Sequence, residues 1–201
     1  MPPPDETRAG CGDNARPSNA APLPMKPAEL VALRTPIAAM AVVIALSNVL
    51  VQHPINDWLT WGAFSYPFVF LVSDLTNRAL GPMAARRVAW VGFAIAVLVS
   101  LLLAPWRIAV ASGAAFLFSQ VMDILVFNRW RRQTWWKAPL IGNLVASVVD
   151  TGVFFFLAFA GSDMDWLSLA TGDLAVKAAM ATLLLAPYRA LLPRISTWAA
   201  P

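Results

Sequence analysis

Charge is what this sequence has least of. Asp, Glu, Lys and Arg make up only 13% of its 201 residues, roughly half their share in an average soluble protein. A soluble fold so poor in charge could not cover its surface with groups that water accepts. Cysteine is nearly absent too: Cys11 stands alone, so an intrachain disulfide and a cysteine-based metal site are both excluded. The one histidine, His53, falls at the outer end of the first apolar run and reads as an interfacial residue, not a base. No serine–histidine pair at membrane depth and no glycine-rich phosphate loop occur. An enzyme working through a covalent intermediate and a self-contained ATP-driven pump are therefore disfavoured, and no cofactor or metal is expected.

Long apolar runs are what the sequence has in their place. Hydrophobic residues reach 59%. They gather into six segments, at about 35–53, 62–80, 87–104, 108–127, 138–160 and 169–190. Each is near the roughly 20 residues that cross a hydrocarbon core of about 30 Å at 1.5 Å per residue. Unbroken apolarity over such lengths excludes porin-like barrel strands, which are shorter and alternate. The expected fold is all-α, a polytopic membrane protein with six transmembrane helices over residues 34–192. A polar tail over 1–33, rich in Pro, Ala, Asn and Gly, is expected to be disordered and cytoplasmic, and Met25 is an alternative start to Met1. A short cytoplasmic tail follows at 193–201. The first apolar run lacks a small-residue cleavage site and reads as a retained helix. Proline stands mainly at segment edges (Pro54, Pro105, Pro139, Pro193). Pro67 lies within the second segment, where it either opens the helix or kinks it.

The basic residues are not scattered. Arg8, Arg16, Lys26, Arg34, Arg86, Arg87, Arg129, Arg131, Arg132, Lys137 and Arg194 fall on one side of the six-span arrangement and Arg107 alone on the other. This bias predicts both termini in the cytoplasm. It also accounts for the net charge of +4 without nucleic acid, because such loops face anionic lipid headgroups. Trp58, Trp61, Trp106 and Trp166 flank the predicted outer ends, and Trp130, Trp135, Trp136 and Trp198 the inner ones, as in an aromatic belt.

Inside the segments, the polar residues need explaining. An ionised side chain at the bilayer centre costs at least about 2.5–3.5 kcal/mol, so each needs a partner or a purpose. Asp74 and Arg78 are spaced i, i+4, as are Asp173 and Lys177, and both read as structural ion pairs formed within one helix. Ser112, Ser119 and Asp123 form one polar stripe with Gln120 beside it, and Asn143, Ser147 and Asp150 form another. Neither Asp123 nor Asp150 has a base within a turn of its own helix. Each must meet a cation from another helix, take a proton, or face water. Interhelical hydrogen bonding that only fastens the bundle is the bland alternative.

Many strings in the chain are also familiar. Trp61-Gly62, Tyr66-Pro67, Asp74-Leu75, Arg78 and Ala85-Arg86-Arg87 resemble the queuosine precursor transporters of the vitamin uptake transporter family. So do Ser119-Gln120 with Asp123, Phe127-Asn128-Arg129, Trp135-Trp136 with Ala138-Pro139, Gly142-Asn143 with Asp150, Phe154-Phe155-Phe156, and Asp173 with Lys177. The resemblance spans about residues 35–192. It implies a six-helix bacterial inner-membrane importer of cyano- and aminomethyl-deazaguanine, precursors of a modified tRNA base. No residue-level binding roles come with it. The ligand's chemistry nevertheless suits the intramembrane groups. Its ring N–H and exocyclic amine fit one carboxylate, its carbonyl needs a donor such as Gln120, Asn143 or Lys177, and its ring needs a wall such as Phe68, Phe116 or Phe154. The expected site is Asp74, Gln120, Asp123, Asn143, Asp150 and Lys177 near midplane, with Asp150 the first candidate to read the base edge. The expected partners are this small molecule and the lipid bilayer, with room for a homodimer and none for nucleic acid.

Rival readings come from other classes. A binding subunit served by a separate energising complex would use a small-residue face such as Ala41-x-x-x-Ala45. A channel or assembly factor would use its intramembrane charges only to pair with neighbours.

Overall fold

The structure, a computed structural model, describes residues 27–50, 53–56, 59–103, 105–163 and 165–195. The chain begins with helix α1 (Pro27–Leu50), followed by a small antiparallel hairpin of β1 (Pro54–Asn56) and β2 (Leu59–Thr60). Then come α2 (Gly62–Ser65), α3 (Phe68–Leu80), α4 (Pro82–Leu103), α5 (Trp106–Trp130), α6 (Lys137–Phe159), α7 (Trp166–Leu183) and α8 (Leu185–Leu191), closed by a 3₁₀ turn at Leu192–Arg194. The hairpin is the one departure from an all-α chain among the described residues. Helix α1 reaches back to Pro27, into the stretch expected to be tail, and Leu33 on it is buried. Residues 1–26 and 196–201 of the expected tails lie outside the described residues, as do Trp58 and Trp198 of the aromatic belt.

Proline and glycine explain where the helices break. Pro67 opens α3: the second apolar segment divides into the single turn α2 and the 13-residue α3. Alone, α3 is about 20 Å long and too short to span. Gly81, with φ 86° and ψ 174°, turns the chain sharply from α3 into α4, a conformation that a Cβ would strain. Pro82 then occupies the first position of α4, where its missing N–H costs nothing. The last apolar segment divides at Leu184 into α7 and α8. Pro187 has no N–H for the carbonyl of Leu183, the last residue of α7.

Four stretches are long and apolar enough to cross a membrane: Pro82–Leu103, Trp106–Trp130, Lys137–Phe159 and the run Trp166–Arg194. With α1, apolar over Val31–Ser47, and the α2–α3 pair, they account for the six expected segments. The burial pattern is that of a chain dissolved in lipid. Leu98, Leu101, Leu102, Phe118, Leu125, Val148, Phe156 and Leu167 face outward, while Asp74, Gln120, Asp123, Asn143, Asp150 and Lys177 are buried. A protein in water does the reverse. The chain is a multi-pass helical membrane protein.

Small residues bring the helices close. A Cβ on Gly92 of α4 would stand 2.9 Å from Met40 Cγ on α1, so the bare glycine permits that packing. Around it lies an apolar cluster of Leu33, Met40, Ile44, Val69, Val88, Ala96 and Phe116. A second cluster, Leu71, Phe127, Ala138, Leu184 and Tyr188, ties α3, α5, α6 and α8 together near the C-terminal end of α5. Arg107 fastens the opposite end. Its guanidinium donates to the carbonyls of Leu157 at 3.1 Å and Ala160 at 2.6 Å, capping the negative end of α6.

Candidate functional site

The six expected site residues come together in the core, but in two groups with opposite character. In the first, Lys177 of α7 is the centre. Its ammonium lies 2.7 Å from Asp150 Oδ2, 2.5 Å from Asp173 Oδ2 and 3.1 Å from Thr151 Oγ1. An ammonium has three donors, and all three are used. Thr151 donates its own hydroxyl hydrogen bond to Asp173 Oδ2 at 2.7 Å. The other oxygen of Asp150 accepts from the hydroxyls of Tyr66 and Ser119, each at 3.3 Å. Tyr66 belongs to the break between α2 and α3, and Lys177 lies 5.6 Å from the centre of its ring, within cation–π range.

This arrangement bears on two of the expected site residues. Asp150, first candidate to read a ligand's base edge, already has both oxygens taken. Lys177, a candidate donor to a ligand carbonyl, has no donor left. The close pairing of Asp173 with Lys177 is seen at the expected i, i+4 spacing, but Lys177 also neutralises Asp150 from across the helix interface, as a base from another helix can.

The second group is unsatisfied. It is built from Ser73, Asp74 and Asn77 on α3, Gln120 and Asp123 on α5, and Asn143 on α6, all buried. Ten side-chain polar atoms of these six residues have no hydrogen-bond partner, including all four carboxylate oxygens. Each such atom costs about 1–3 kcal/mol, more for a charged group. Asn143 stands beside Asp74 and Ser73 beside Asp123, neither closing a hydrogen bond to the carboxylate. Asp74 and Asp123 are near enough for their charges to repel. Gly142 makes room for Asp123: a Cβ there would come within 2.8 Å of Asp123 Oδ1. Phe127, one turn beyond Asp123 and fully buried, borders the same spot.

The expected Asp74–Arg78 pair is not formed. Arg78 donates instead to the carbonyl of Arg131 at 2.7 Å, and Arg131 donates back to the carbonyl of Asn77 at 3.4 Å and to Asn128 Oδ1 at 3.1 Å. The reason is geometric. Arg78 sits one turn nearer the end of α3, and its long stem reaches the carbonyl of Arg131 at the end of α5. The two arginines thus cross-brace α3 to α5 above the unsatisfied group, with the buried Tyr188 alongside; no partner takes its hydroxyl.

Of the expected aromatic walls, Phe68 faces outward, Phe116 packs in the apolar cluster with Met40 and Ile44, and Phe154 stacks on Phe155 and Phe159. Phe127 is better placed. Ser73, Asn77, Tyr66, Thr151 and Tyr188 were not anticipated as site residues. For Ser73 and Asn77 a signal existed, since polar residues at 73, 74 and 77 fall at i, i+1 and i+4 on one face of the helix. No group of acids, histidines and cysteines among the described residues is arranged to hold a metal.

Comparison with known proteins agrees with this build. The chain is 35% identical over 179 aligned positions to the "Queuosine precursor transporter" of Escherichia coli (strain K12), covering 75% of this chain and 81% of that one. It is 35% identical over 153 positions to a "Probable queuosine precursor transporter" of Haemophilus influenzae, covering 58% and 65%. It is 28% identical over 160 positions to one of Bacillus subtilis (strain 168), covering 64% and 69%. No solved structure matches. The family described as "Putative vitamin uptake transporter" matches residues 60–104 and 100–191, a range that holds every residue of both polar groups, and the chain belongs to that family of transporters.

Proposed function

We propose that this chain imports queuosine precursors, the cyano- and aminomethyl-substituted 7-deazaguanines, across a bacterial inner membrane, with both termini in the cytoplasm. The ligand is held by Asp74, Asp123, Gln120 and Asn143, with Ser73 and Asn77 beside them. One observation carries the reading: ten buried polar atoms at the meeting of α3, α5 and α6 lack partners. A deazaguanine offers what they lack. Its ring N–H and exocyclic amine make a two-pronged donor for one carboxylate, and its pyrrole-type N–H is a further donor. Its carbonyl and remaining ring nitrogen accept from the amides of Gln120, Asn143 or Asn77, and its flat ring lies against Phe127. Binding there exchanges many unpaired groups for paired ones, so the selectivity against ligands lacking those donors is large.

Relatives named as queuosine precursor transporters support the substrate class, and the one-sided distribution of arginine supports the orientation. Asp150 and Lys177 serve here as the rigid floor of the site, holding α6 and α7 to the α2–α3 break. The test is a strain unable to make the precursor, expressing this chain and fed either compound. Queuosine reappears in its tRNA; if it stays absent while the protein is correctly inserted, this function is wrong.

A further inference from the structure

The proposed site holds two negative charges and no positive one. Asp74 and Asp123 are each 1% exposed, and no described residue closes a hydrogen bond to either carboxylate. The charged groups on every packed element are otherwise placed. On α3, Arg78 is turned to the carbonyl of Arg131; at the end of α5, Arg131 binds Asn128 and Asn77. On α6 and α7, Asp150, Lys177 and Asp173 are closed on one another. On α8, Tyr188 is a phenol, and Arg189 lies over the ring of Trp135. Arg34 of α1 and Arg86 of α4 are exposed, and Arg87, in the second turn of α4, is half-buried and engaged in an interaction of its own. Gln120, three residues before Asp123 on α5, is fully buried with both ends of its amide unpartnered, and so adds a donor and an acceptor that the chain itself does not use.

Two unpaired buried carboxylates repel each other and resist desolvation. A neutral ligand supplies hydrogen-bond donors to them but no charge. We propose that Asp74 and Asp123 form the coupling element of the carrier, each ligand crossing together with one positive charge held between them: the ligand's own ammonium where it has one, a proton where it has none. This rests on the substrate reading above and extends it to the energy source. In the neutral case a proton from the outer water adds to one carboxylate oxygen, and the new O–H donates to the second carboxylate or to the ligand. When the site opens inward, ligand and proton both leave to the cytoplasmic water, restoring the pair. One proton disappears outside and one appears inside per molecule. In the cationic case the aminomethyl ammonium replaces that proton, and none moves.

Both precursors then carry one positive charge inward and respond to the membrane potential, but only the neutral one responds to a pH gradient, a difference that the full chain in proteoliposomes can resolve. At zero potential, an interior one pH unit more alkaline accumulates the neutral cyano compound about tenfold, since one unit is one factor of ten in proton activity. The aminomethyl compound shows no such response but accumulates under an interior-negative potassium diffusion potential. An external pH dye registers one proton consumed per cyano molecule and none per aminomethyl molecule. Accumulation of the cyano compound without proton movement, or driven by a sodium gradient in its place, overturns the inference and leaves the transport function standing. Failure to transport either compound removes the function itself. The double variant Asp150→Asn with Lys177→Gln, which removes one charge of each sign from the neighbouring group, keeps the one-proton stoichiometry; a stoichiometry of zero there assigns the proton to the wrong acids.

Discussion

Asp150 and Asp123 are the same residue type, buried in the same bundle on adjacent helices, and they stand in opposite circumstances. Asp150 has an ammonium at 2.7 Å and two hydroxyls on its second oxygen. Asp123 has Asp74 for a charged neighbour, only the hydroxyl of Ser73 beside it, and no cation. Burial alone therefore does not mark a binding residue. What distinguishes the two is whether the fold has already supplied the partner. A satisfied acid has had its work done by folding, whereas an unsatisfied one keeps its interaction energy for something that arrives later.

The contrast is broken most severely by removing Lys177. Lys177→Met leaves the buried Asp150 and the half-buried Asp173 without their shared cation, and breaking a buried pair from one side costs about 3–5 kcal/mol. The variant is expected to lose most of its folded yield in detergent extracts and to melt far below the parent. Adding Asp150→Asn, which removes the more deeply buried of the two orphaned charges, recovers a large part of the loss. A Lys177→Met chain as stable as the parent would mean that the pairing does not hold the bundle.

Asp123→Asn and Asp74→Asn come next, with the opposite sign on stability. Each takes away one of two repelling charges that no protein group offsets. The melting temperature should therefore stay level or rise, while uptake falls about 10–100-fold, the loss expected for hydrogen bonds to a charged group. Asp150→Asn gives the reverse, a less stable chain. Comparing melting and uptake across the three variants sharpens the division into two groups; a drop in stability at Asp123 equal to that at Asp150 would erase it.

Much of this was readable beforehand, for physical reasons. The six apolar segments stand out because crossing a hydrocarbon layer demands length and continuity, and the three acids, two amides and one lysine named from the sequence as site residues are all buried in the core. Which acid meets which base was not readable. The i, i+4 spacing of Asp74 and Arg78 permits a local pair, yet Arg78 takes the carbonyl of Arg131, 53 residues away. Helix rotation and the reach of a long side chain decide that, and neither is written in spacing along one helix. The hairpin between α1 and α2 is too short to announce itself, and the division of the last segment at Leu184 depends on Pro187, which could equally have been read as a kink.

Gly142→Ala tests the space around Asp123 without touching its charge. The new methyl would stand 2.8 Å from Asp123 Oδ1, so the carboxylate must swing away. Alanine is also about 1 kcal/mol better than glycine inside a helix, so insertion should be unharmed or improved. The expected result is a several-fold higher KM for uptake with normal protein levels. An unchanged KM would show that the position of this carboxylate does not matter to the ligand.

The mildest change is at the edge of the satisfied group. Tyr66→Phe removes one hydroxyl, donated to Asp150 at 3.3 Å, while leaving the ring that faces Lys177 at 5.6 Å and its edge contact with Phe70. Asp150 keeps its ion pair and the hydroxyl of Ser119, so the loss is that of one replaceable hydrogen bond, about 0.5–1.5 kcal/mol. Because Tyr66 belongs to the break between α2 and α3, that small loss falls on the joint between the broken helix and the α6–α7 floor. Melting should drop by a few degrees and the KM for uptake should not change, since no ligand contact is lost. A large change in KM with little change in melting would place Tyr66 among the ligand's partners, and the satisfied group would then reach into the binding site.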